Sequence, residues 1–327
     1  MWKLTIDSSL EAEYLAKFQD KLVERIVKGV GGTKLPKRIQ KILIKDYSIT
    51  KPIRLSDVTK LLIGKPKEAF DLNNELMKKI FPGYDVNNLD DLKSHKTVLK
   101  KIEKVFCYNG VMSGEKDNSY WLARRVGHNT CTYCNRQYTF TVGYDETGEK
   151  ITRPQFDHWF PKELFPLLSL NLYNLIPSCS ICNSSVKGSG VFSFATHIHP
   201  YLQNHYEPDF EFAPVVSTDT ERDWSVNLDR VKGSREDNTI KSLKLEELYD
   251  VHGDLEVKDL MNFATGFTDN YLRDLYQSVL SDFTTKGYTK EEVFRMIFGA
   301  EYLAEHTLDR PLSKLKRDIL KYLNVIP

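Results

Sequence analysis

Two Cys-x-x-Cys pairs constrain this chain more than any other feature. Cys131 and Cys134 flank Thr132-Tyr133, and Cys179 and Cys182 flank Ser180-Ile181. Each pair sets two sulfurs on one tight turn. Zinc bound by four thiolates is tetrahedral, so two such turns make a complete ligand set. The fold must then bring together two turns that lie far apart in sequence. A redox reading of Cys-x-x-Cys needs a thioredoxin-like βαβ setting, which the chain lacks. Four protein ligands leave no open position for water, so the expected site is structural. His128, three residues before Cys131, is not needed as a ligand. The fifth cysteine, Cys107, stands in Val105-Phe106-Cys107-Tyr108 and is expected to be a small buried hydrophobe.

Between and beside the pairs lie residues of a different chemistry. Phe156-Asp157-His158 follows the first pair, and Asn174-Leu175-Ile176-Pro177-Ser178 leads into the second. Histidine is the side chain best suited to accept a proton near neutral pH. A hard carboxylate oxygen suits Mg²⁺, which keeps several waters and binds phosphate oxygens. Asp157 is therefore expected to hold a metal and His158 to activate a water. Asn183, opening the helix after the second pair, can supply a neutral oxygen ligand. Asn174 can hold the loop that presents His158. Lys187, one helical turn past Asn183, is expected to meet a phosphate, with Lys162 and Arg136 as further substrate contacts. His197 and His199, just before Pro200, are expected to be structural.

The stretch from Cys131 to Gly188 resembles the HNH endonucleases, whose ββα-metal fold sits on a zinc-bound frame. The matching residues are the first Cys pair, Asp157-His158-Trp159-Phe160-Pro161-Lys162, Asn174-Leu175-Ile176-Pro177-Ser178-Cys179-Ser180-Ile181-Cys182-Asn183, and Lys187-Gly188. The resemblance covers about 60 residues. It implies that His158 is the general base, that Asn174 positions its loop, and that Asn183 stands at the third motif position, giving an H-N-N form. It also implies a catalytic magnesium or manganese ion rather than zinc. The wider setting resembles HNH proteins of bacterial antiphage systems, such as the nuclease subunit of Septu-type systems, which implies an ATPase partner.

The rest of the chain frames that centre. Apolar positions at helical spacing run from Ser9 to Val27 and end at Gly29-Val30-Gly31-Gly32. Further helices are expected at Pro36 to Ile44, from a Ser56 cap through Ile63, at Glu68 to Phe81, and at Asp90 to Phe106, with Asp90 and Asp91 at its positive end. A break falls at Asn109–Asn118, before a short helix at Tyr120 to Val126. Gln137 to Val142 and Ile151 to Phe156 are expected to pair as a hairpin ending on Asp157-His158. A short helix follows at Cys179 to Gly188. Val191 to Ala195 and Phe210 to Ser217 look extended, and helices resume from about Asn238.

The expected fold class is α+β: a mostly helical chain around a central ββα-metal core. The expected domains are a helical segment 1–118, a nuclease core 119–200 and a segment 201–327 that is extended, then helical. Residues 1–110 carry 22 Lys+Arg against 14 Asp+Glu, whereas 201–327 carry 16 against 24. The first could track phosphates; the second suits a partner better than nucleic acid. No apolar run approaches the ~20 residues that span a bilayer, and no apolar leader opens the chain. The expected protein is cytoplasmic, with no membrane partner. Its expected function is metal-dependent cleavage of nucleic acid, DNA in preference to RNA. The alternatives are a ribonuclease of the same fold and a zinc-stabilised binding module without activity.

Overall fold

The computed structural model describes residues 1–44, 57–86, 95–112, 117–188, 190–265 and 269–326. The Ser56 cap and the Asp90-Asp91 helix start lie outside these residues.

The N-terminal helices follow the sequence period closely. Helix α1 (Ser8–Lys28) buries Leu10, Tyr14, Phe18, Leu22 and Ile26 along one stripe. Asp7 caps it by accepting from the Leu10 amide at 2.7 Å, satisfying one of the amides that a helix start leaves free. Helices α2 (Lys37–Leu43), α3 (Asp57–Ile63), α4 (Pro66–Ile80), α5 (Lys96–Val105), α6 (Tyr108–Met112) and α7 (Asn118–Val126) complete this layer. Tyr14 ties α1 to the centre of the molecule through its hydroxyl, which donates to the Leu170 carbonyl at 2.9 Å.

The central strands differ from the expected hairpin. Strands β1 (Val142–Tyr144) and β2 (Lys150–Thr152) pair with each other and stop short of the Asp-His step. Strand β3 (Gln155–His158) pairs instead with β4 (Leu175–Ser178), antiparallel, with Asp157 opposite Ile176 and His158 opposite Leu175. A π-helix, Ile181–Lys187, follows β4 and ends at Gly188, whose φ of 49° favours glycine. Strand, loop, strand and helix thus occur in order, but β4 is Leu-Ile-Pro-Ser rather than the aromatic run at 137–142.

Beyond the centre, Val191 to Ala195 forms no strand. Strand β5 (Glu211–Val216) falls in the run expected to be extended and pairs with β6 (Trp224–Asp229), a strand the sequence had not suggested. Helices α8 (Arg235–Ser242), α9 (Leu245–Asp250), α10 (Lys258–Thr265), α11 (Asp269–Thr285), α12 (Lys290–Phe298) and α13 (Ser313–Tyr322) follow. One hydrophobic core runs from Trp2 through Trp159 to Ile319, so residues of all three expected segments share it. The molecule is thus a mixed helix and small-sheet structure. Among the described residues, no helix is long and apolar enough to cross a membrane.

Candidate functional site

The four cysteines meet. Their sulfurs lie within 4.8 Å of one another, all four residues are buried, and the group could hold a metal ion. The backbone explains the meeting. The Thr132 amide, inside the first turn, donates to the Pro177 carbonyl on β4 at 3.2 Å, next to the second turn. In that second turn the Cys182 amide points at the Cys179 sulfur, 3.5 Å away. Asn135 closes the first turn with φ at 47°, a left-handed conformation that Asn tolerates. Its side chain donates to the Thr307 and Arg310 carbonyls at 2.8 and 3.1 Å, fastening the turn to the C-terminal segment. Burial and the neighbouring thiols push the Cys131 thiol well up from its ordinary value.

Beside this frame, β3 and the π-helix line a pocket of about 380 Å³. His158, at the end of β3, forms part of its wall. The His158 Nε2 lies 2.9 Å from the Ser169 carbonyl. A carbonyl only accepts, so Nε2 carries the proton and Nδ1 of the neutral ring is left as the acceptor. No group among the described residues occupies Nδ1. Burial, with the charges of Lys162 and Lys187 adding to it, pushes His158 down to about 4. The ring is neutral at pH 7 and able to take a proton.

Asn174 fixes both walls around that ring. Its Oδ1 accepts from the Phe160 amide at 2.7 Å, and its Nδ2 donates to the Phe160 and Leu168 carbonyls at 3.1 and 3.0 Å. Phe160 lies two residues after His158, and Leu168 one before Ser169. Asn174 therefore holds the loop that presents His158, as its sequence position suggested.

Asp157 and Lys187 depart from the expected roles. Lys187 is buried, and its ammonium sits 3.0 Å from Asp157 Oδ2 and 3.2 Å from Oδ1. It also donates to the His158 carbonyl at 2.8 Å. The Tyr133 hydroxyl donates to Asp157 Oδ2 at 2.5 Å. Burial raises the Asp157 carboxyl, and Lys187 opposes that shift. Lys187 thus pairs with Asp157 rather than awaiting a phosphate. The winding is the reason. In an α-helix, residues five apart are turned roughly 140° from each other. The wider π-turn brings Lys187 inward, on the buried side with Cys182.

Asn183 reaches the pocket, but its Nδ2 is bound to Gln155 Oε1 at 2.6 Å. Lys162 lines the pocket. Arg136 does not. Its Nε donates to His252 Nε2 at 2.9 Å, and His252 pairs in turn with Glu256 at 2.7 Å, so Arg136 braces the first cysteine turn against the C-terminal helices. His197 stacks on Phe192 and bonds to Thr196 and Ser242, and His199 is buried beside Trp159; neither lines the pocket. Cys107 is only half-buried, its sulfur accepting from the Gly110 amide at 3.5 Å.

Three pocket residues carried no motif. Tyr108 meets the His158 ring edge to face at 5.0 Å, and its buried hydroxyl has no partner among the described residues. Arg153 lines the pocket beside it and has no carboxylate partner among the described residues; its guanidinium lies over the Tyr120 ring at 5.7 Å. Gln155 was the most readable of the three. On a strand it shares a face with Asp157, two residues on.

Comparison with protein-family models, with curated proteins and with solved structures finds no match to this chain.

Proposed function

We propose that the four cysteines hold a structural zinc ion and that the pocket beside it hydrolyses phosphodiester bonds of nucleic acid, DNA in preference to RNA. An all-sulfur donor set suits zinc, and a Zn–S length of about 2.3 Å needs only a small closure of the observed cluster. The nuclease reading rests above all on His158. It is a neutral imidazole, its Nε2–H committed to a carbonyl and its Nδ1 without a partner among the described residues, set in a pocket that Arg153 and Lys162 also line.

The chemistry follows from those groups. His158 Nδ1 takes a proton from a water molecule. The water oxygen attacks phosphorus, the P–O bond to the leaving sugar oxygen breaks, and that oxygen takes up a proton. Arg153 and Lys162 line the pocket and can offset charge on the phosphate. Asn174 positions the base. A magnesium or manganese ion does not fit the residues as arranged, because both Asp157 oxygens are already engaged. No step is assigned to one. The resemblance of the sequence to HNH proteins of antiphage systems supports a role as the effector of such a system, beside an ATPase subunit.

The test uses zinc-loaded protein on plasmid DNA and on a folded RNA of similar length, side by side. Scission of DNA faster than RNA is expected. Scission of RNA alone makes the protein a ribonuclease, and intact substrates in both arms overturn the reading.

A further inference from the structure

The carboxylate that the sequence assigns to a divalent cation already has a cation of its own. The Lys187 ammonium sits almost evenly between the two Asp157 oxygens, at 3.0 and 3.2 Å, and has the His158 carbonyl as its third acceptor at 2.8 Å. Lys187 thus makes two hydrogen bonds, to Asp157 Oδ1 and the His158 carbonyl, and an ion pair with Asp157 Oδ2. Its stem is equally settled. The side chain is 1% exposed, and Nζ lies 5.1 Å from the centre of the Phe192 ring, a further favourable contact for a cation. Tyr133 supplies a donor to the same carboxylate from the cysteine frame.

A divalent ion of the magnesium class needs about six oxygens at roughly 2.0–2.1 Å. Asp157 Oδ2 faces both Lys187 and Tyr133, and Oδ1 faces Lys187. Of the pocket's amides, Gln155 Oε1 is taken by Asn183. Glu163 is the pocket's other carboxylate. An ion drawn to Asp157 would meet the ammonium at close range in a buried, low-dielectric setting, where like charges repel strongly. The carboxylate can satisfy the ammonium or the ion, not both.

We infer that Lys187 is the resident cation of this pocket and that any divalent ion binds Asp157 only in competition with it. The inference takes from the proposed function only the choice of pocket. Its readout is ion binding, so it can fail while the nuclease reading stands, and the reverse.

The experiment titrates Mn²⁺ into zinc-loaded protein, with free Mn²⁺ read by electron paramagnetic resonance. The wild type should bind Mn²⁺ weakly, and Lys187→Met should bind it at least about tenfold more tightly, a change of about 1.4 kcal/mol. Adding Asp157→Asn to Lys187→Met should remove the gain. Equal affinity in wild type and Lys187→Met overturns the inference. Zinc content and circular dichroism confirm the fold of each variant. Should Lys187→Met not keep its zinc, the wild type decides alone. A micromolar Mn²⁺ site that broadens the His158 ring signals overturns the inference, and no such broadening upholds it.

Discussion

Replacing Asn174 with alanine removes three hydrogen bonds from the interior and adds nothing to compensate. The Phe160 amide loses its acceptor, and the Phe160 carbonyl loses its donor. The Leu168 carbonyl keeps one bond, from the Asn171 amide at 3.0 Å. Two buried backbone groups are therefore left unmade, at ~1–3 kcal/mol each. The expected loss is about 4 kcal/mol, a large part of the ~5–15 kcal/mol that holds a typical domain together. Urea unfolding of zinc-loaded protein, followed by tryptophan fluorescence, measures it. Asn174→Asp is the sharper control. It keeps the acceptor for Phe160 but turns a second oxygen towards two carbonyls, so it should cost at least as much as alanine. A loss below about 1 kcal/mol for Asn174→Ala would refute the claim that this side chain fixes the loop around His158.

Other outcomes follow from the frame and from buried histidines. Cys182→Ser should lower the zinc content and abolish cooperative unfolding, because metal binding free energy is folding free energy in such sites; a chelator-release assay reads the first and calorimetry the second. His199 is pushed down to about 3 by burial. The unfolded chain then binds its proton first, so stability is full above the ordinary histidine value near 6.5 and falls as pH drops towards 3, by on the order of 4 kcal/mol. His199→Phe should flatten that part of a urea-midpoint-against-pH plot. His158, held down to about 4 by burial, stays neutral well below the usual histidine range. The acid limb of the cleavage rate should fall near pH 4 rather than 6.5, and a limb at 6.5 would remove His158 as the base.

How much was legible in the sequence depends on how local the signal was. The helical stripes of α1 and α4 and the meeting of the four cysteines follow from spacing alone. Asn174 was singled out by its place before Leu-x-Pro-x-Cys, and its side chain does bond the Phe160 and Leu168 backbone on either side of His158. Strand β4 was not legible, since proline argues against a strand. In this two-stranded pairing Pro177 sits opposite Phe156 and its carbonyl still accepts from Thr132, so the missing amide costs nothing. The run at 137–142 misled in the opposite way. Tyr138 and Phe140 have strand-like character, but they stack on each other at 4.5 Å, exposed to solvent. Lys187 lines the pocket with Asn183, as a spacing of four suggests, but nothing in the sequence announces its pairing with Asp157. Arg136 was misplaced because nothing in the sequence announces His252, its partner across the fold. Tyr108 enters the pocket from outside that stretch, brought there by tertiary packing, and Arg153 stands four residues before Asp157 at a position the motif leaves blank.

The account stands most directly on His158. Wild-type and His158→Ala protein, matched for zinc content and circular dichroism, should be compared on supercoiled plasmid under identical conditions. The expected result is nicking by the wild type and intact plasmid with His158→Ala at an unchanged fold. Equal cleavage by both would contradict the assignment of this pocket as the site of phosphodiester hydrolysis.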